Sequence, residues 1–137
     1  MSTRRSHKLF TVDEANELVP ELNDIFAAVR EERRIVTESA PHARKAAAKA
    51  REGGGSPFGG RYVQALERMT ELVERVNGLG VMVKDVDRGL CDFMHDHGGE
   101  LVLLCWKYGE PDVSWWHSLE DGFNGRRAIE ELQDLSD

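Results

Sequence analysis

The stretch VMVKDVDRGLCDFMHDHGGELVLLCWKYGEPDVSWWHS, residues 81–118, decides the fold class. It holds four runs rich in β-branched, aromatic and aliphatic residues, and short segments containing Gly, Asp or Pro separate them. Runs of this length and spacing are typical of consecutive antiparallel strands joined by tight turns. We predict strands at Val81–Asp85, Leu90–His95, Leu101–Lys107 and Val113–His117.

Two amphipathic helices precede this stretch. Apolar residues recur at spacings of three and four, first within residues 15–36 and again within residues 62–76, which is the pattern of a helix with one buried face. Thr11 and Glu14 have the spacing of a capping box, so the first helix is expected to begin there. The Ala-rich segment after Pro41 is either a short separate helix or a continuation of the first.

We predict one α+β domain over residues 1–137. A chain of 137 residues can bury one core without disulfides or a structural metal, and it is too short for two ordinary domains. An antiparallel hairpin of long helices, with a flexible linker of sequence GGGSPFGG, is expected to pack on a three- to four-stranded antiparallel β-meander. The parts are the hairpin at 9–79 with its linker at 53–60, the meander and C-terminal loop at 80–127, and a short acidic helix at 128–137.

Composition and charge disfavour several classes of protein. With 40% hydrophobic and 31% charged residues, the chain fits a soluble globular protein rather than a disordered or fibrous one. No apolar run approaches the roughly 18 residues that cross a bilayer, and no apolar signal segment opens the chain, so we expect a cytoplasmic protein with reduced cysteines. A net charge of −7 disfavours nucleic acid as a partner, although Pro41–Arg51 carries a small basic patch.

Three segments resemble those of one known family. The chain carries LFTVDEANELVPEL at residues 9–22, GVMVKDVDRGLCDF at 80–93 and LLCWKYGEPDVSWWHSLEDGFNGRR at 103–127. Together they are similar to the prokaryotic family catalogued as domain of unknown function 2203, and the resemblance extends from Leu9 to Arg127. It implies the fold of that family and a prokaryotic origin, and it implies no activity.

Strand parity brings polar residues to one face of the predicted sheet. With a two- or four-residue turn after His95, Asp92 faces the same side as Cys105, and an odd-length connection to the last strand adds His117. A four-residue turn after the first strand would add Val81, Val83 and Asp85 to this face. A bulge in any strand would change the set, because it reverses the alternation beyond it.

Carboxylate, imidazole and thiol groups on an apolar face suggest a metal site. Zinc accepts all three donor types, so these groups could hold a divalent transition metal such as Zn²⁺, with Glu110 joining from the adjacent turn. The sequence favours the structural interpretation, with a hydrogen bond between Asp92 and His117 that orients the strands, Cys105 as a small apolar residue and Asp85 capping its turn. The candidate ligands are Asp85, Asp92, Cys105, Glu110 and His117.

Two arginines follow a Gly-rich loop near the C-terminus. Arg126 and Arg127, together with the loop amides, predict either an anion site or a set of ion pairs that locks the C-terminal loops, for example between Arg126 and Glu110. His95 and His97 lie two apart in a strand and offer a weaker metal pair, which we expect to face solvent at the mouth of a turn.

Three tryptophans, Trp106, Trp115 and Trp116, form a predicted aromatic surface. Such large apolar rings belong to a core, an interface or an aromatic ligand pocket. Because Trp115 and Trp116 are adjacent in a strand, they point to opposite faces of the sheet. One of them is therefore expected to cover a helix, a partner subunit or a ligand.

The sequence favours a non-enzymatic interaction module that self-associates as a homo-oligomer. The contact surface would be an exposed tryptophan and the helical seam, which is the pair of apolar helix faces within residues 15–36 and 62–76. The alternative function is a small metal- or ligand-binding protein that uses Asp92, His117 and their neighbours on the sheet. No nucleophile turn or catalytic triad is evident, and a Cys105–His117 dyad requires an exposed thiol. The run VLLCW around that cysteine suggests that the thiol is buried.

Overall fold

Alternating strands and tight turns build the sheet that the sequence predicts. The computed structural model describes residues 8–50 and 57–135, and its fold is α+β, as predicted. The elements are α1 (Val12–Ala50), α2 (Pro57–Gly78), β1 (Met82–Asp85), β2 (Leu90–His97), β3 (Glu100–Lys107), β4 (Trp115–Ser118), β5 (Arg127–Ala128) and α3 (Ile129–Leu135). The chain divides into two compact units, a sheet unit of Met1–Asp24 with Val76–Asp137 and a helical unit of Ile25–Arg75.

All the strands join one antiparallel sheet in the order β1-β2-β3-β4-β5. Gly98 and Gly99 connect β2 to β3, with φ values of 63° and 95° in the left-handed region that favours glycine. This two-residue turn sets the register of the central hairpin. The sheet has five strands instead of the three or four expected. The additional strand, β5, was not predicted because its two residues are too few to show alternation in the sequence.

One face of the sheet forms the core of the sheet unit. Cys91 and Phe93 in β2 and Leu104 and Trp106 in β3 alternate onto this face, and all four are fully buried. The ring of Phe10 meets that of Phe93 edge to face, with 5.2 Å between the ring centroids. The opposite face of the same strands carries the polar residues described below.

The start of α1 is attached to the sheet by polar contacts as well. The Phe10 amide donates a hydrogen bond to the Met94 carbonyl over 2.8 Å. Further along, the Val113 amide donates to Asn16 Oδ1 over 2.7 Å. These bonds satisfy the backbone amides of Phe10 and Val113 and fix the first turns of the helix within the sheet unit.

The capping box predicted for α1 is present. The Thr11 amide donates to Glu14 Oε1 over 2.8 Å, and the Glu14 amide donates to Thr11 Oγ1 over 3.0 Å. The helix then runs without interruption to Ala50, so the segment after Pro41 continues α1 rather than forming a separate helix. Of the helices described, none is both long and apolar enough to cross a lipid bilayer.

The linker predicted at 53–60 is only partly within the described residues, since 53–56 lie outside them. Pro57–Gly60 belongs to α2 and forms its first turn, because proline at the first helical position has a backbone angle suited to the helix. The prediction of a linker was therefore wrong for these four residues. Within the helical unit, Arg68 of α2 pairs with Glu32 of α1 over 3.0 Å.

The aromatic surface predicted from the three tryptophans was wrong for two of them. Trp106 is fully buried and Trp116 is only 6% exposed, while Trp115 is 36% exposed. Trp106 and Trp116 share the core face because Trp116 pairs with Leu104, two residues before Trp106. Trp115 lies on the opposite face, because it is adjacent to Trp116 in β4 and adjacent residues of a strand point to opposite faces.

Candidate metal centre

The register of the central strands brings Asp92, Cys105 and His117 together. Asp92 in β2 lies directly opposite Cys105 in β3. His117 in β4 lies opposite Leu103, which is two residues before Cys105 and therefore on the same face of the sheet. The three side chains therefore leave the same face of three adjacent strands, and they are 2%, 0% and 4% exposed in that order.

Their donor atoms are close enough to share one ion. One potential ligand atom from each of the three side chains lies within 4.8 Å of the other two. His117 Nε2 is 3.2 Å from Asp92 Oδ1. Ligand atoms on one tetrahedral zinc lie about 3.5 Å apart, given bonds of roughly 2.0–2.3 Å, so small side-chain rotations would complete the geometry.

The hydrogen bonds of His117 restrict where its protons can be. Its Nδ1 lies 2.8 Å from the Ser118 carbonyl oxygen, which only accepts, so Nδ1 must carry a hydrogen. In the neutral ring Nε2 then has a lone pair, and this lone pair faces Asp92 Oδ1, which is also an acceptor when the carboxyl is ionised. A proton or a cation between the two atoms removes the conflict.

Cys105 does not have the properties of a catalytic thiol. Burial raises the pKa of the Cys105 thiol to about 11, with the guanidinium of Arg126 opposing the rise and the Asp92 carboxylate adding to it. The dyad that is conceivable for an exposed thiol is therefore disfavoured, because the thiol is buried and its pKa is raised.

A cavity of about 220 Å³ adjoins the three residues. Apolar and charged side chains contribute to its wall beside the three donors. The other lining residues are Lys84, Leu90, Leu103, Leu119, Asp121 and Gly122. The face is thus accessible to a small molecule even though each donor residue is nearly inaccessible to solvent.

The other two predicted ligands, Asp85 and Glu110, make different contacts. Asp85 Oδ1 accepts a hydrogen bond from the Arg88 amide over 3.1 Å, which is the turn-capping role considered as the alternative. Glu110 Oε1 accepts from the Lys107 amide and from Arg126, each over 2.8 Å. Neither carboxylate belongs to the metal-competent group found among the described residues.

Arg126 and Arg127 also make contacts within the protein. Arg126 pairs with Glu110 and lies 5.2 Å above the ring of Trp115. Arg127 lies 5.5 Å above the ring of Trp116. The ion pair of Arg126 matches the second alternative given above, in which ion pairs lock the C-terminal loops, because it joins the segment before β5 to the turn after β3.

A bulge in β1 changes the set of residues on the site face. Met82 lies opposite Asp92, so Met82 shares the face where we expected Val83. The register shifts between Val83 and Asp85, as a bulged strand requires. Lys84 lies at this shift and lines the cavity. Sequence reasoning missed Lys84 because no residue pattern marks the bulge.

The second histidine pair does not join a metal-competent group within the described residues. The rings of His95 and His97 are 6.2 Å apart between centroids. His95 Nδ1 is 2.7 Å from the Phe10 carbonyl oxygen, which gives this ring a structural contact to the segment before α1.

An antiparallel meander with a buried carboxylate, thiol and imidazole on one face defines a small α+β protein with a metal-competent site. The chain belongs to the family described as "Uncharacterized conserved protein (DUF2203)", whose profile matches residues 8–129. No curated protein and no solved structure matches it.

Proposed function

We propose that this protein binds a divalent transition metal, Zn²⁺ above others, through Asp92, Cys105 and His117. The observation that carries the proposal is the orientation of His117, whose Nδ1 donates to the Ser118 carbonyl while Nε2 faces Asp92. Metal-binding histidines commonly have this arrangement, in which a backbone carbonyl fixes the ring and leaves the other nitrogen for the ion.

Charge supports a divalent ion at this site. A carboxylate and a thiolate together carry two negative charges, and a neutral imidazole adds none, so a divalent cation yields a neutral buried centre. The mixture of one sulfur, one nitrogen and one oxygen donor favours zinc over magnesium or calcium, which prefer oxygen ligands. Arg126, which interacts with Cys105, would stabilise the thiolate from outside the donor set.

Cobalt titration tests the proposal and identifies the thiol involved. Cobalt substitutes for zinc, and a thiolate ligand produces a charge-transfer band in the near ultraviolet. We expect this band in the wild type and in Cys91→Ser, but not in Cys105→Ser. Cys91 is a matched control, because it is equally buried and neighbours Asp92 in β2 but lies on the opposite face of the sheet. Cobalt binding without the band, or a band that depends on Cys91, would overturn the assignment.

Zinc affinity should rise with pH near neutrality. Because burial raises the pKa of Cys105 to about 11, its thiol is protonated in the metal-free protein and must lose that proton to bind the ion. The thiolate fraction grows about tenfold for each pH unit below the pKa, and zinc affinity should grow by about the same factor. Competition with a chelator at several pH values measures this slope, and Cys105→Ser should flatten it.

Self-association is a second candidate function, and an apolar patch on α2 supports it. Val63 and Leu66 of that helix are 50% and 40% exposed, in the segment where the sequence predicts the helical seam. If the seam joins two copies, light scattering should give twice the mass of the chain, and Leu66→Lys should return it to a monomer. A monomeric wild type at high concentration would exclude this function.

We place the protein in the cytoplasm, whether it binds a metal or self-associates, because its two free cysteines would stay reduced there.

A further inference from the structure

We infer that the proposed metal presents an open coordination position to the adjoining cavity, and that the cavity takes a small monoanion with an aliphatic body, such as a short branched carboxylate. This inference rests on the proposed metal centre. It adds the chemical class of the ligand, which neither the metal nor the family determines.

The number of protein donors indicates the open position. Structural zinc sites are closed by four protein ligands, whereas sites that bind a further molecule have three. Asp92, Cys105 and His117 are the only grouped donors of this kind among residues 8–50 and 57–135. Glu110, the acidic side chain expected as a fourth, is engaged by Arg126 and by a backbone amide. The fourth position is therefore left for a molecule from the cavity.

The size and walls of the cavity indicate an aliphatic body. Its volume of about 220 Å³ exceeds the ~150 Å³ that holds a benzene-sized molecule in a protein interior. Leu90, Leu103 and Leu119 line it and provide apolar contact. A ligand that fills this space places a few carbon atoms against the leucines while one polar end reaches the metal.

The charged groups of the cavity indicate a single negative charge. Lys84 lines the cavity, and its ammonium makes no ion pair with any residue in the described part of the chain. It is exposed, so its ammonium remains hydrated and attracts an anion that enters the cavity. Asp121 lines the same cavity, and because its repulsion of an anion grows with the anion's charge, it disfavours dianions such as phosphate or a dicarboxylate more than a monoanion.

The test uses cobalt-loaded full-length protein and 3-methylbutanoate as the probe. Entry of the carboxylate into the open position changes the coordination of cobalt and thus its visible absorption bands. We expect a saturable spectral change with 3-methylbutanoate, and at least about tenfold weaker binding of the neutral 3-methylbutanamide, of acetate and of inorganic phosphate. Lys84→Met should weaken 3-methylbutanoate binding by a similar factor, while Lys45→Met, which changes a lysine of the helical unit, should not.

The outcomes separate this inference from the proposed function. Cobalt bound through Cys105 with a spectrum that 3-methylbutanoate leaves unchanged would overturn the inference and leave the metal centre standing. Acetate or phosphate binding as tightly as 3-methylbutanoate would overturn the ligand class, and so would an unchanged affinity in Lys84→Met. A protein that binds no cobalt overturns the metal centre and the inference with it.

Discussion

Replacing His117 with alanine should lower zinc affinity about a thousandfold. Binding free energies of protein zinc sites are on the order of 10–16 kcal/mol, so one of three ligands contributes about 4 kcal/mol, which corresponds to three powers of ten in affinity. The substitution removes the ring whose Nε2 faces Asp92. Competition with chelators of graded affinity measures the difference between wild type and variant.

His97→Ala is the matched control for this variant. His97 also lies in the sheet, but it is outside the group of three donors. Zinc affinity should stay within about twofold of the wild type. An equal loss in both variants, or high affinity retained in His117→Ala, would show that zinc binds elsewhere, for example at the His95 and His97 pair.

Trp106→Ala should destabilise the fold by about 3–5 kcal/mol. The side chain is fully buried, and its Nε1 donates a hydrogen bond to the Glu110 carbonyl over 3.0 Å. Removing it leaves a large cavity in the core and a carbonyl without its partner, and truncation of buried aromatic residues costs this much in other proteins. Equilibrium unfolding in urea gives the change in free energy of unfolding.

Trp115→Ala provides the comparison. Trp115 is 36% exposed and lies on the opposite face of the sheet, so its removal loses less buried area and should cost about 1–2 kcal/mol. The two variants delete the same side chain from adjacent regions of one sheet. Equal destabilisation would contradict the assignment of Trp106 to the core face.

The grouping of Asp92, Cys105 and His117 could be predicted from the sequence because strand alternation is regular. A two-residue turn at Gly98 and Gly99 fixes the parity of β2 against β3. Once that register is set, Asp92 must lie opposite Cys105, and His117 follows from the next connection. Turn residues and alternation are visible in a sequence, so this part of the site was within reach.

The rest of the cavity could not be predicted, because it depends on departures from regular structure. Lys84 reaches the site through the register shift in β1, and bulges have no reliable residue pattern. Leu119 and Asp121 line the cavity from the loop after β4, where the backbone follows no periodicity. For Trp106, the residue type indicated either a core or a surface, and only the register of β3 decided between them.

The central claim is most directly tested by the metal content of protein purified without an affinity tag, measured by inductively coupled plasma mass spectrometry. The wild type and Asp92→Ala/His117→Ala are compared side by side after incubation with zinc and removal of unbound ion, with circular dichroism to show that the variant is folded. The account predicts about one zinc per wild-type chain and none in the double variant. A wild type without metal, or equal zinc in a folded double variant, would contradict it.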